Sequence, residues 1–120
     1  MFFGPLDVIV SGDTVLQPDL VFVSKEKESI ISERGIEGAP DLVVEISSPG
    51  SYHFDRGAKK SIYERNGIPH LWLVTPAEHR IEEFKWRAGR YICVQDMQGI
   101  GEFNPAALGN LTIDLADLWA

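Results

Sequence analysis

Two phrases in which proline precedes aspartate carry the acids best placed to do chemistry. Pro18-Asp19 opens one apolar run, and Pro40-Asp41 opens another, in which Glu45 is embedded. Side chains alternate along a strand, so Asp41 and Glu45 would project from the same face. A carboxylate inside an apolar strand is costly unless it is paired, hydrogen-bonded or bound to a cation. Glu45 is therefore the leading candidate for a functional acid.

Antiparallel pairing of the two runs would bring acids of different phrases together. The start of one strand then lies beside the end of the other, so this register predicts Asp19 close to Glu45, with Asp41 at the far end of its strand. Two carboxylates and a strand carbonyl suit Mg²⁺ or Mn²⁺, which prefer oxygen ligands. Such an ion can activate water and neutralise the charge that grows on a phosphodiester. The pattern indicates metal-assisted hydrolysis of a phosphate ester.

The same chemistry needs a cation near the reacting phosphate, and the helix-like segment 55–66 offers one. Lys59 lies four residues after Asp55 and four before Tyr63, so the three side chains share a helix face. Other roles stay open. Lys59 could pair with Glu45 in a structural salt bridge, while Asp55 could cap the helix and Tyr63 could be a packing residue. Either Pro-Asp aspartate could likewise be a turn or cap residue.

A predicted strand–helix–strand unit positions these residues. Residues 40–48 form the most apolar stretch, which is typical of a strand buried on both faces. Residues 55–66 have helical spacing and stop at Asn66-Gly67. Residues 68–75 form a second buried strand. The sequence therefore predicts a βαβ unit.

Shorter elements flank this unit. Residues 15–23 are predicted to form a strand that Pro18 interrupts near its start, because proline lacks an N–H for the ladder. The polar segment 25–38 is either an exposed connection or one irregular helical turn. Further along the chain the pattern predicts a hairpin and then a strand passing into a short helix, at residues 80–86 with 90–95 and at residues 111–119.

Length and charge limit the function classes. A chain of 120 residues forms one domain, and its net charge of −7 gives no general attraction to phosphate backbones. A nucleic-acid role would therefore act through a local site. The sequence shows neither a signal peptide nor a membrane span, which favours a cytoplasmic protein. The single cysteine, Cys93, fits a reducing compartment and is predicted to be a small buried filler. The three histidines have no metal-ligand spacing.

The order of these motifs resembles the Uma-type putative restriction endonucleases, a bacterial family in the PD-(D/E)xK nuclease superfamily. The matching pieces cover nearly the whole chain: residues 17–19, residues 38–49, Asp55, Lys59, Tyr63, residues 67–76 and residues 111–115. The resemblance implies an α/β, restriction-endonuclease-like fold, with a mixed central sheet, flanking helices and a C-terminal hairpin. It also implies that DNA is the partner and that Mg²⁺ or Mn²⁺ is the cofactor.

Carried over by position, the resemblance assigns roles to individual residues. Asp19 would be the metal-binding acid of the first Pro-Asp strand, and Glu45 the metal-binding acid of the (D/E)xK strand. Two residues after Glu45 stands Ser47 instead of lysine, so the catalytic lysine role would pass to Lys59 on the following helix. Three further residues would support the site: Asp41, whose role stays open between ligand and support, Asp55 and Tyr63.

The N-terminus departs from the family pattern. Family members usually carry an additional N-terminal stretch with a helix that bears a superfamily glutamate, whereas this chain starts almost at the strand before Asp19. We therefore expect a single domain of residues 1–120 that lacks the usual N-terminal helix. Exposed sheet edges invite pairing with another chain, so a homodimer or higher assembly is expected.

Three functions follow as hypotheses. The first is a Mg²⁺- or Mn²⁺-dependent DNA endonuclease, which the joint presence of Asp19, Glu45 and Lys59 favours. The second is a catalytically inactive nuclease-like scaffold that assembles or binds a partner, which the acidic charge and the short N-terminus favour. The third is a metal-dependent hydrolase of another phosphate ester.

Overall fold

The computed structural model describes residues 2–4, 7–9, 15–47 and 52–120, with the backbone alone for residues 2, 3 and 52–56. In chain order the strands are β1 (Phe2–Phe3), β2 (Val8–Ile9), β3 (Val15–Leu16), β4 (Leu20–Phe22), β5 (Ile31–Ser32), β6 (Gly35–Glu37), β7 (Leu42–Ile46), β8 (His70–Thr75), β9 (Arg80–Arg87), β10 (Arg90–Gln98), β11 (Glu102–Phe103) and β12 (Ile113–Asp114). The helices are α1 (Tyr52–Arg65) and α2 (Leu115–Trp119), and two 3₁₀ turns cover Lys25–Ile30 and Pro76–Glu78.

Six of the described strands form one mixed sheet, in the order β1-β4-β7-β8-β9-β10. At its centre β7 and β8 run parallel and are joined by α1, as the predicted βαβ unit requires. Parallel neighbours cannot be joined by a tight turn, so the 14-residue helix provides the crossover. The remaining pairs in the sheet are antiparallel. The mixed α/β architecture expected from the sequence is confirmed.

An apolar cluster covers each face of this sheet. We call the side that packs on α1 the α1 face, and its buried residues are Val43, Tyr63, Ile68, Leu71, Leu73, Phe84 and Tyr91. The opposite α2 face contains Leu42, Val44, Trp72, Val74, Ile81, Phe103 and Leu115. Alternate residues of β7 and β8 enter different clusters. Their near-continuous apolar sequences follow from burial on both faces.

The α2 face also contains a fully buried acid, Glu83. Its carboxylate accepts hydrogen bonds from Trp72 Nε1 at 2.9 Å and Gln95 Nε2 at 2.8 Å. The backbone N–H groups of Ala106 and Ala107 donate to it at 2.8 and 3.0 Å. These four donors satisfy the buried carboxylate. Glu83 thereby fastens the loop after β11 to the centre of the sheet.

Two smaller sheets complete the described structure. Strands β3, β2, β6 and β5 lie side by side in that order around a core of Val8, Val21, Val23 and Ile36. The second sheet pairs β11 with β12. Asp114 then caps α2 by accepting a hydrogen bond from the Ala116 backbone N–H at 3.1 Å. The predicted C-terminal strand and short helix are present.

Several local predictions need correction. Helix α1 begins at Tyr52, so Asp55 lies inside the helix instead of capping it. Residues 15–23 form two strands, β3 and β4, because Pro18 lies between them and has no N–H for a strand ladder. The polar segment begins with a 3₁₀ turn, which agrees with the predicted irregular helical turn, but the β5–β6 pair that follows was not predicted. Cys93 is exposed and not buried, because β10 is an edge strand of the main sheet. No helix in the described ranges is long and apolar enough to span a membrane.

Candidate active site

Asp19 lies where β4 begins, opposite the end of β7. The backbone register pairs Leu20 with Val44, so position 19 falls across from Glu45. The half-buried Asp19 carboxylate is fixed by the Ile46 backbone N–H, which donates to Oδ2 at 2.6 Å. This hydrogen bond holds Asp19 at the end of β7 that carries Glu45.

Helix α1 delivers two hydrogen-bond donors to the Glu45 carboxylate. The Tyr63 hydroxyl donates to Oε1 at 2.5 Å, and Lys59 Nζ donates to Oε2 at 3.0 Å. Residues four apart lie on one helix face, which explains why both reach the same group. Glu45 is 6% exposed and Tyr63 is 1% exposed. Helix α1 therefore fixes the Glu45 carboxylate through these two hydrogen bonds. The buried Tyr63 side chain anchors the helix in the core.

Burial makes ionisation of Glu45 costly. Loss of solvent raises the pKa of Glu45 above its usual range, while the hydrogen bonds from Tyr63 and Lys59 oppose that rise and the negative charge of Asp19 adds to it. Burial and the Glu45 charge also raise the pKa of Tyr63, so its hydroxyl stays protonated and remains a donor. A bound cation would lower the pKa of Glu45, because it would offset both the lost solvent and the Asp19 charge.

Asp41 is not brought to this pair of acids. It precedes β7, and its Oδ2 accepts a hydrogen bond from the Ser24 backbone N–H at 2.6 Å. Its Oδ1 lies 3.8 Å from Lys27 Nζ. Glu45 lies four positions after Asp41 along the strand, a distance of about 13 Å. The side chain of Asp55 lies outside the described residues, so its proposed supporting role has no contacts to rest on.

Comparison with known families gives this geometry a context. A family model described as Uma2, putative restriction endonuclease, matches residues 1–116. The chain belongs to the Uma2 family. The resemblance drawn from the Pro-Asp phrases and the helix lysine is thereby confirmed. Comparison with curated proteins finds no match.

A solved structure shows the same fold. It is a protein of Anabaena variabilis described as a putative nuclease belonging to DUF820, with a TM-score of 0.67 and 22% sequence identity. The match covers 98% of this Uma2 chain and 66% of that chain. This chain therefore spans just under two thirds of the relative's length. The expected nuclease-like fold is confirmed, and at this identity the likeness shows the fold alone.

The donor set of this Uma2 site fits a hard divalent cation. Within the described ranges no group of three or more His, Cys, Asp or Glu side chains could hold a metal. Mg²⁺ often needs only one or two carboxylates, because it keeps several of its waters. Asp19 and Glu45 supply two such groups. Lys59, which occupies one Glu45 oxygen, has a side chain that is 42% exposed and can turn toward solvent.

Sequence reasoning missed three polar residues that the fold buries near the site or on the opposite face of the sheet. Thr75 and Glu82 are 4% and 5% exposed on the α1 face, and Glu83 is fully buried on the α2 face. Ile81 and Glu83 are two residues apart along β9 and so share a face, and this alternation offered a signal that Glu83 is buried. For Thr75 the signal was its position two residues after Leu73 at the end of a buried strand. Neither signal says what the residue contacts.

Proposed function

We propose that this Uma2 chain is a Mg²⁺- or Mn²⁺-dependent endonuclease that hydrolyses phosphodiester bonds of DNA. The observation that supports this best is the Glu45 carboxylate, which faces position 19 and is held by Lys59 and Tyr63. Two acids with an adjacent lysine are the groups that metal-assisted phosphodiester hydrolysis needs. Family membership and the nuclease-like fold agree with this proposal.

Asp19 and Glu45 would hold the cation in this proposal. When bound, the cation supplies an activated water and positive charge beside the scissile phosphate. Tyr63 fixes the orientation of the Glu45 carboxylate through its short hydrogen bond. The Lys59 ammonium lies 3.0 Å from Glu45, so it would be able to donate to the attacking water or to a phosphate oxygen once it leaves Glu45.

The supporting residues act at a greater distance. Asp41 would act indirectly, since it fixes the start of β7 through its hydrogen bond with Ser24. Asp55 would act from the same helix as Lys59. DNA would be engaged through the local site, because the net charge of −7 provides no general attraction to the duplex.

Metal binding is the first test of the endonuclease proposal. Calorimetry with Mn²⁺ should give a saturable heat for the wild type and none for Glu45→Ala. Plasmid nicking in Mn²⁺ should then be lost in Lys59→Ala. Lys60→Ala is the matched control, because Lys60 Nζ lies 4.5 Å from the centre of the Phe84 ring and not on Glu45. Equal nicking by all preparations would identify a contaminant and contradict the proposal.

A non-catalytic scaffold is the second candidate. The observation in its favour is that both Glu45 oxygens already accept hydrogen bonds from the chain itself, so the buried acid is satisfied without an ion. In that case Glu45, Lys59 and Tyr63 would simply tie α1 to β7. Absence of Mn²⁺ heat from the wild type would favour the scaffold over the endonuclease.

Self-association is part of either proposal. Strand β10 is a nine-residue edge strand of the main sheet, and it exposes Ile92 and Val94 at 44% and 41%. An open edge with apolar side chains favours pairing with another chain. We propose a homodimer or higher assembly that covers this edge, in a reducing cytoplasm that suits the free, exposed Cys93.

A further inference from the structure

Thr75 ends β8 with a hydroxyl that has no hydrogen-bond partner. The residue is 4% exposed, and within the part of the chain that the structure describes Oγ1 is buried and unpartnered. Leaving a buried polar group unpaired lowers stability, whereas valine has nearly the same shape without that cost. An orphan of this kind calls for a physical explanation, such as a bound water or ion.

The Thr75 hydroxyl does not cap the 3₁₀ turn that follows it. Thr75 stands at the N-cap of the 3₁₀ turn Pro76–Glu78, where a threonine side chain commonly accepts a backbone hydrogen bond, but it makes no such bond. Its neighbour across the ladder, Arg80, is already engaged by Asp96 at 2.8 and 2.9 Å and lies 3.5 Å from Glu82. The surrounding secondary structure of the described chain therefore gives the Thr75 hydroxyl no hydrogen-bond partner.

The strand register places Thr75 beside the candidate site. Glu45 pairs with Leu73 in the parallel ladder, and the Ser47 backbone N–H continues that ladder by donating to Val74 O at 2.9 Å. Thr75 follows Leu73 by two residues, so its side chain projects from the same α1 face as Glu45. One strand spacing and two residues of strand separate the two Cα atoms by about 8 Å.

We propose that the Thr75 hydroxyl is a positioning group of the candidate site, where it hydrogen-bonds a water molecule carried by the divalent cation of Asp19 and Glu45. This inference rests on the proposed function. A water is favoured over a phosphate oxygen, because a phosphodiester cannot reach a side chain that is only 4% exposed. Groups that orient the coordination shell from outside are a regular part of metal sites.

The test compares Mn²⁺ affinity with stability in Thr75→Val and Thr75→Ser. Calorimetry should show roughly 10–100-fold weaker Mn²⁺ binding for Thr75→Val, as is typical when such an outer partner is removed. Thr75→Ser keeps the hydroxyl and should bind like the wild type. In EDTA, Thr75→Val should unfold at the same temperature as the wild type or higher, because an unpaired buried hydroxyl has been removed.

The matched control is Thr112→Val, which removes an exposed hydroxyl that donates to Asn104. It should leave Mn²⁺ affinity unchanged. If Thr75→Val folds poorly, Thr75→Ala removes the same hydroxyl with a smaller side chain. Unchanged Mn²⁺ affinity in the variant would overturn the Thr75 inference and leave the endonuclease proposal standing. No Mn²⁺ binding by the wild type would overturn both. Loss of stability with unchanged affinity would make the hydroxyl a structural group and also overturn the inference.

Discussion

Tyr63 and Glu45 share a hydrogen bond of 2.5 Å between α1 and β7, inside a core where both residues are almost fully buried. Burial raises the pKa of Glu45, and the hydrogen bond from the Tyr63 hydroxyl opposes that rise together with the hydrogen bond and charge of Lys59. The tyrosine therefore contributes to how readily the candidate metal ligand ionises. It does so while remaining protonated, because the same burial raises its own pKa.

Tyr63→Phe should move the pH dependence of the site. Without the hydroxyl the pKa of Glu45 rises further, so the acidic limb of Mn²⁺ binding should shift to higher pH. Mn²⁺ calorimetry at a series of pH values measures this shift. Tyr91→Phe is a suitable control, because Tyr91 donates to the Ile68 carbonyl and not to Glu45. An acidic limb at the same pH in Tyr63→Phe and the wild type would contradict the role assigned to Tyr63.

Glu45→Gln should change how stability depends on pH in EDTA. The folded protein holds the Glu45 proton more tightly than the unfolded chain, whose pKa is near 4.5. Stability from this group is therefore present below that pKa and is lost as the pH rises through the raised, folded pKa. The free energy of unfolding of the wild type relative to Glu45→Gln should fall across this window. Urea denaturation at several pH values measures it, and a flat difference would refute the expected burial cost.

Asp19→Asn and Asp41→Asn should separate the two Pro-Asp aspartates. Asp19 faces the end of β7 that carries Glu45, so its substitution should weaken Mn²⁺ binding at least tenfold. Asp41 binds Ser24 at the opposite end and acts only through the start of β7, so its substitution should lower Mn²⁺ affinity far less than that of Asp19. It should lower the free energy of unfolding by about 1 kcal/mol, the typical worth of one hydrogen bond. Equal losses of affinity would show that Asp41 belongs to the site.

Glu83→Ala should be strongly destabilising without affecting the site. It removes the acceptor of the Trp72 indole, of two backbone N–H groups and of one hydrogen of the Gln95 amide, which keeps its bond to the Asn104 carbonyl. Each buried unpaired group costs about 1–3 kcal/mol, so with partial rehydration we expect a loss of about 3–5 kcal/mol. Urea denaturation measures the loss, with the exposed Glu102→Ala as control. A loss below about 1 kcal/mol would mean that the loop after β11 is not fastened by Glu83.

Self-association of the chain through the β10 edge should be measurable in solution. Sedimentation at micromolar concentration should show a dimer or larger species. Val94→Lys places a charge at the exposed irregularity between Cys93 and Gln95, where the ladder with β9 shifts register. This variant should shift the protein toward monomer, whereas the remote, exposed Leu118→Lys should not. A clean wild-type monomer would contradict the assembly proposal.

The sequence by itself determined the relationship between Glu45 and its helix. Strand side chains repeat every second residue and helix side chains about every fourth, so Glu45, Lys59 and Tyr63 could be assigned to facing surfaces without coordinates. The two Pro-Asp phrases place Asp19 opposite Glu45 on the condition that the runs pair antiparallel, and the structure supplies that pairing. These features depend on local periodicity and on one strand pairing.

Only the tertiary structure decided which polar groups are buried and what they contact. Cys93 is exposed because β10 has no outer neighbour within the described chain, and Glu83 is satisfied because a distant loop folds back onto it. Thr75 is buried at the end of β8 beside β9, and its hydroxyl has no partner among the described residues. Such outcomes arise from contacts between residues far apart in sequence, whose geometry no local pattern encodes.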